Sequence, residues 1–298
     1  MSMIDYLAQT PSALFLCTFI ISLLIGSFLN VVIYRLPVSL MAGWKSECET
    51  FLAEENGDQA DTDSVSNDKQ STFNIAYPAS HCPSCKADIK AWQNIPVMSY
   101  LLLKGRCHAC KIRISPRYPL VELATALLST WCVYRFGFSV EAGLAILLTW
   151  ALISLTMIDI DHHLLPDNIT LPLLWLGLLA NTQSVFASPV DAIIGAAAGY
   201  MVLWSIYWAF KLLTNKEGMG FGDFKLLAAL GAWMGWQALP LVIILSSLVG
   251  AIIGIGGILL MGKEKNKPIP FGPYLAIAGW IALFWGSDIT RLYLGYAL

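Results

Sequence analysis

Long apolar runs, each near the length needed to cross a bilayer, alternate along this chain with short polar joints. About twenty apolar residues span a hydrocarbon core of ~30 Å. Eight runs qualify, at about 12–35, 118–136, 139–158, 168–186, 190–213, 224–238, 239–261 and 273–293. The sixth is short, and only the Gly235–Pro240 turn divides it from the seventh, so seven spans is the alternative count. Lys and Arg accumulate on the cytoplasmic side of a membrane protein. Eight spans with the N-terminus outside put Arg35 through Arg117, Lys211, Lys216, Lys225 and the "KEKNK" lysines 263, 265 and 267 on the inner side. Only Arg135 and Arg291 fall outside, leaving 16 of the 18 basic residues inside. Merging the sixth and seventh runs would move "KEKNK" outside, which argues for eight. The pattern therefore predicts an all-α polytopic membrane protein of about eight transmembrane helices. Within the runs, Gly195-xxx-Gly199 and Gly250-xxx-Gly254 read as close helix packing.

Composition agrees. Of 298 residues, 57% are hydrophobic and 13% charged, about half the charge of an ordinary soluble domain. The opening "MSMIDYLAQT" carries Asp5 and no Lys or Arg, and the run after it is too long for a signal-peptide core, so 1–35 reads as a retained first transmembrane helix. One loop, 36–117, is large. Its first part, 45–73 ("KSECETFLAEENGDQADTDSVSNDKQSTF"), is acidic and poor in large apolar residues, and reads as a loosely ordered insert. Its second part, 78–117, reads as a small cytosolic domain. The remainder, 118–298, is a transmembrane core of about seven helices.

The small domain carries "HCPSC" and "RCHAC", a C-x2-C-x21-C-x2-C pattern of Cys82, Cys85, Cys107 and Cys110. Two tight turns, each presenting two thiolates, complete a tetrahedron, the geometry of a closed structural zinc site. Reduced thiols or a pair of redox dithiols are the alternatives. With four thiolates filling a zinc, His81 and His108 read as bystanders, and Cys17, Cys48 and Cys132 lack any ligand spacing.

Carboxylates gather at two helix ends. The third run ends in "SLTMIDIDHHLLPDNIT", with Asp159, Asp161 and Asp167, and the fifth is followed by "NKEGMGFGDFKLLAAL", with Glu217 and Asp223. An ionisable group at membrane depth is a candidate functional residue. Two carboxyls sharing a site cannot both ionise easily, so one stays charged and can activate water while the other is an acid that can polarise a carbonyl. That is the chemistry of aspartic proteolysis, for which Asp159 and Asp223 are the candidates. Gly220 and Gly222 would permit unusual backbone dihedrals and close approach of a substrate strand. Helix capping is the simpler reading of Asp167, and remains open for Asp223. Cation or proton transport is the competing function, although it fits an edge position less well and no repeated halves are visible.

The motifs resemble those of the bacterial type IV prepilin peptidases, over nearly the whole chain: "GSFLNVVIYRLP" (26–37), the paired "CPSC" and "CHAC", "NIPVMSYLLLKGRC" (94–107), "ISPRYPLVEL" (114–123), "DIDHHLLPD" (159–167) and "GFGD" (220–223). The resemblance implies a multi-pass aspartic protease of the G-x-G-D type in the cell inner membrane, N-terminus periplasmic and large loop cytoplasmic, with Asp159 and Asp223 catalytic. It implies cleavage of a basic leader from prepilins and pseudopilins, then N-methylation of the new terminus with S-adenosylmethionine. It also implies that the four-cysteine domain, with its structural zinc, marks a bifunctional member. Membrane lipid is the other expected partner, and no nucleic acid is expected. The insert 45–73 is longer than the resemblance leads one to expect. A soluble dinucleotide fingerprint is absent, and "GIGG" (254–257) lies within an apolar run, so the sequence leaves the methyl-donor site unassigned. Asp161, Asp167 and Glu217 could draw a basic leader to the site by their local field.

Overall fold

The computed structural model describes residues 7–55, 74, 79–216, 218–261 and 269–297. Residues 56–73 of the acidic insert, Glu217 and the "KEKNK" lysines lie outside the described residues. The helices, in chain order, are α1 (Pro11–Glu55), the short α2 (Met98–Leu102), α3 (Arg117–Phe136), α4 (Val140–His162), α5 (Asp167–Asn181), α6 (Pro189–Thr214), α7 (Phe221–Met234), α8 (Leu239–Met261) and α9 (Gly272–Ala297). Every one of the eight apolar runs is helical. Among the described residues, four segments are by length and composition long and apolar enough to cross a membrane: α1, α4, α6 and Trp236–Gly256, which contains most of α8.

Five helices end elsewhere than the apolar pattern suggests, α4 and α9 by running four residues longer, to His162 and Ala297. α1 continues to Glu55, past the expected end near residue 35 and into the first part of the acidic insert. Residues 45–55 are mostly good helix formers, and Lys45 lies 3.8 Å from Glu49 one turn on, so the helix persists after the apolar run stops. α5 stops at Asn181 rather than 186. α7 stops at Met234 rather than 238, because Gly235 turns the chain at φ 80°, a conformation that suits glycine. With 14 residues, α7 is about 21 Å long, shorter than the hydrocarbon core.

The chain divides into two compact units, residues 17–127 and residues 1–16 with 128–298. The second is organised around α7, whose residues Leu226 to Trp233 are all buried. α5, α6 and α9 pack on it. The small-residue stripe of α6 explains the closeness: a Cβ at Gly199 would lie 2.6 Å from the Leu227 carbonyl oxygen, and Gly195 is similarly opposed to Gly231. At the far end of α7, the fully buried Asn181 donates to the carbonyls of Ala232 (2.8 Å) and Trp233 (2.9 Å). Its Oδ1 accepts the N–H groups of Phe186 and Ala187. Carbonyls left open at a helix end must find donors, and one amide side chain serves both these carbonyls and the loop that follows α5.

In the first unit, the sequence stretches 26–37, 94–107 and 114–123 meet. Gly26 packs so tightly that a Cβ would lie 2.7 Å from Cα of Glu122. Asn30 donates to the Tyr118 carbonyl at 3.1 Å. Buried Glu122 accepts the N–H of Val97 at 2.7 Å. Val97 has φ 58°, a costly conformation for a β-branched residue, of order 1–3 kcal/mol, and this hydrogen bond helps to hold it.

Candidate active site

Asp159 occupies the last turn of α4 and is buried. Its own carbonyl accepts the N–H of His163, which closes the helix in the left-handed conformation at φ 51°. The chain then turns through Leu165 and Pro166 into α5. Asp161, His162 and His163 are exposed. Of the acids at this helix end, only Asp159 faces the interior.

Asp223 enters from the opposite kind of helix end. Gly220 is the N-cap of α7, and Asp223 lies in the first turn, where the helix field favours a negative group. It is buried, and its Oδ1 has no hydrogen-bond partner among the described residues. The N-cap, Gly220, has no side chain to cap with, and Asp223 three residues on has the Gly220 N–H toward its carboxyl, so the capping alternative stands beside the chemical one. The glycines do not supply unusual dihedrals. Gly220 has an ordinary extended conformation at φ −82°, ψ 150°. Only Gly222 is needed for space: a Cβ there would sit 2.8 Å from Cβ of Leu165, whereas one at Gly220 would meet only Oδ2 of Asp223, at 3.8 Å. The segment that approaches "GFGD" is therefore the chain's own loop after α4. Asp159 and Asp223 are within electrostatic reach of each other.

A third element completes the site, and nothing in the apolar pattern pointed to it. The N–H of Gly272, first residue of α9, donates to Oδ2 of Asp159 at 3.0 Å. A Cβ at Gly272 would lie 2.7 Å from that same oxygen and 3.0 Å from Cδ2 of Leu165. Leu165 thus fills the space beside both Gly222 and Gly272. The available sequence signal was "PFGP" (270–273), a glycine between prolines at a helix start.

Asp167 is the first residue of α5, as its position after Pro166 suggested. Both its oxygens lie 2.7 Å from Nζ of Lys225, which follows Asp223 by two residues. Beside this pair, Phe221 and Phe224 stack with Tyr207 of α6 at centroid distances of 5.3 and 5.8 Å. The start of α7 is thereby held from two sides, by an ion pair to α5 and by aromatic contacts to α6.

The four cysteines form a separate centre. Their sulfurs all lie within 4.8 Å of one another, with Cys82 and Cys110 at 3.8 Å. Four thiolates at about 2.3 Å around a tetrahedral ion place sulfurs about 3.8 Å apart, so the set fits a zinc-sized cation. The two knuckles are copies of one another. Cys82 N–H donates to Ala87 O and Lys86 N–H to Cys82 O, and Cys107 N–H to Ile112 O and Lys111 N–H to Cys107 O in the same way. Lys86 and Lys111 share a left-handed φ near 60°. Bridges between His81 and Asp88 and between Arg106 and Arg113 repeat at the same offset. Backbone N–H groups of Cys85 and Ser84 pull the Cys82 thiol down to about 6, and those of Cys110 and Ala109 lower Cys107. Against the pull of the Ile112 N–H, burial and the sulfurs of Cys85, Cys107 and Cys82 push the Cys110 thiol up to about 11, so among the four crowded sulfurs two favour thiolate and one holds its proton. Neither histidine belongs to the sulfur cluster: His81 meets the Ala79 carbonyl, and His108 stacks edge-on with Trp92.

Comparison with known proteins divides along the same lines. A family described as the bacterial peptidase A24 N-terminal domain matches residues 20–136, and the type IV leader peptidase family matches residues 146–255. A protein of Pseudomonas aeruginosa named prepilin leader peptidase/N-methyltransferase is 56% identical over 297 residues, covering 100% of this chain and 99% of the relative. Relatives of the same name from Aeromonas salmonicida (57% identical, covering 97% of this chain and 96% of the relative) and Legionella pneumophila (47%, covering 96% of each) match similarly. No solved structure matches the chain.

Proposed function

The chain belongs to the type IV leader peptidase family, and from that premise we propose that it is an inner-membrane prepilin leader peptidase and N-methyltransferase. It cuts the basic leader from type IV prepilins and pseudopilins at the cytoplasmic face, then methylates the new N-terminal amine. The observation that carries the reading of the peptidase site is the pairing of Asp159 and Asp223. They are two buried carboxyls from separate helix ends, within electrostatic reach, and Oδ1 of Asp223 has no hydrogen-bond partner among the described residues. The N-terminus is periplasmic and the loop with the cysteines cytoplasmic, as the distribution of Lys and Arg favours.

A prepilin enters the bilayer by its apolar helix and leaves its basic leader in the cytosol, so the bond to be cut lies at the interface. One carboxylate of the pair removes a proton from water as the oxygen adds to the scissile carbonyl carbon. The other, protonated, gives its hydrogen to the carbonyl oxygen as the π pair moves there. The gem-diol then collapses: the C–N bond breaks, its electron pair takes the proton held since the first step, and a diol hydroxyl returns a proton to the second carboxylate. Leader acid and pilin amine result, and the pair is restored.

Cys82, Cys85, Cys107 and Cys110 would hold one structural zinc, which cross-links the two knuckles of a domain with little core of its own. The methyl donor implied for the second activity is S-adenosylmethionine, which supplies an electrophilic methyl group; no residue is assigned to it. The test is the purified chain in detergent, with a prepilin and S-adenosylmethionine. Asn at 159 or 223 abolishes cleavage while a pre-cleaved pilin is still methylated; cleavage that survives either substitution overturns the assignment.

A further inference from the structure

An aspartic pair needs one charged and one protonated member, and nothing in the reaction as described above says which is which. The hydrogen-bond donors around the two carboxyls differ. Oδ2 of Asp159 accepts a backbone N–H from Gly272 at 3.0 Å. That N–H opens α9 and has no acceptor within its own helix, whereas Pro273 after it has no N–H and the next two amides, of Tyr274 and Leu275, bond to the Phe271 carbonyl. A backbone N–H can only be met by an acceptor, and donation to the charged form of a carboxyl favours that form. Asp223 also lies at a helix start, with the Gly220 N–H toward its carboxyl, but its Oδ1 is buried without a hydrogen-bond partner among the described residues. An oxygen in that condition is better served by carrying a hydrogen, which it can give to a substrate carbonyl.

We propose that Gly272 is a positioning residue that fixes the division of labour in the pair, its N–H holding Asp159 as the carboxylate that activates water and leaving the shared proton on Asp223. The inference rests on the peptidase reading above and extends it. With Oδ2 tied to Gly272, Oδ1 of Asp159 is the atom that takes the proton from water, and Asp223 gives its proton to the carbonyl oxygen and recovers one at collapse. Glycine is required at 272 because any side chain would be driven into Oδ2 of Asp159, at 2.7 Å, and into Leu165. The loop after α4 contributes Leu165, which fixes how closely "PFGP" and "GFGD" approach.

The experiment uses the full chain in detergent with prepilin, and follows both activities. Gly272→Ala lowers kcat for cleavage by about 100-fold or more, leaves KM for prepilin within about threefold, and leaves methylation of a pre-cleaved pilin unchanged. Adding Leu165→Ala relieves only the leucine contact. The double variant stays as slow as Gly272→Ala if the effect runs through Asp159, and recovers if glycine is there merely to pack against Leu165, which would overturn the proposal. A measurement independent of turnover is the infrared carbonyl stretch of a protonated carboxyl. It is lost in Asp223→Asn and kept in Asp159→Asn; the reverse overturns the assignment even if Gly272→Ala fails to fold. Wild-type cleavage by Asp159→Asn or Asp223→Asn would instead sink the peptidase site itself.

Discussion

Asp167 and Lys225 form a two-pronged ion pair, with both carboxylate oxygens 2.7 Å from Nζ, that ties the start of α5 to the first turn of α7 two residues beyond Asp223. The pair is partly exposed, with side-chain accessibilities of 49% for Asp167 and 29% for Lys225, so its contribution to global stability is only about 0–1 kcal/mol. Its expected consequence is local. Lys225→Met or Asp167→Asn lowers prepilin cleavage several-fold by loosening the turn that carries Asp223, while the melting temperature shifts by a few degrees at most. The charge-swapped pair Asp167→Lys with Lys225→Asp recovers much of the rate. Equal loss in the swap would show that the contact has no positioning role.

The pair also changes the account of how a basic leader is drawn in. A carboxylate already neutralised by a lysine contributes little field, so Asp167 is the weakest of the three acids expected to act; Asp161 is exposed beside the site and can be tested directly. Asp161→Lys raises KM for leader-bearing substrate several-fold at low salt with kcat unchanged, and the difference shrinks at high salt as the charges are screened. A KM that ignores the reversal would remove Asp161 from recognition.

For the aspartate pair, Asp159→Asn and Asp223→Asn each cut the cleavage rate by at least about a thousandfold, a barrier increase of ~4 kcal/mol or more. Thermal unfolding in detergent checks that neither variant has lost its fold. The two effects together are far from additive, since either loss already disables the pair.

The cysteine centre gives a prediction in pH. The Cys82 thiol lies at about 6 against an ordinary 9.0, lowered by the backbone N–H groups of Cys85 and Ser84. Because the folded value is the lower one, thiolate formation favours the folded knuckle. That contribution is complete above pH 9 and is lost as pH falls through about 6. Against the pull of the Ile112 N–H, Cys110 moves the other way, pushed up to about 11 by burial and the sulfurs of Cys85, Cys107 and Cys82; since a metal must displace the proton at every ligand, zinc content, measured on dialysed protein, falls on acidification. Serine at 82, 85, 107 or 110 lowers it at pH 7 as well; full stoichiometry in all four variants would exclude the four-thiolate site.

Asn181 offers a test of the fold. Its side chain serves four backbone groups across 5 to 52 residues of sequence. Removing it leaves buried donors and acceptors unmet, at about 1–3 kcal/mol each before relaxation. Asn181→Leu is thus expected to destabilise by several kcal/mol, visible as a large drop in melting temperature, with both enzymatic activities lost together on warming. A melting temperature within two degrees of wild type would mean that water or loop movement satisfies those groups.

How much of this was legible beforehand varies with the range of the interaction. The apolar runs became helices because a membrane-length segment must satisfy its own backbone, and this depends only on local composition. The knuckles were legible because each C-x2-C turn is built by its own few residues. Helix ends were less so: α1 outran its apolar run because the acidic residues after it are themselves helix formers, and α5 ended early because Asn181 bonds to the far side of α7. Asp159 and Asp223 stood out as carboxylates beside apolar runs, a local anomaly.

The sequence by itself thus determined the helical membrane architecture and the clustering of four cysteines, and it singled out the two aspartates as candidates, each from within a short stretch. Only the tertiary structure decided that Gly272 donates to Asp159 across 113 residues, that Leu165 fills the space beside two glycines, and that Lys225 is engaged by Asp167 across 58. A leucine in a loop and a lysine on a helix carry no signal of their own, and a glycine between prolines marks a helix start without saying what it meets. Their roles arise from the close packing of α4, α5, α7 and α9, and proximity between distant residues is a property of the packed chain alone.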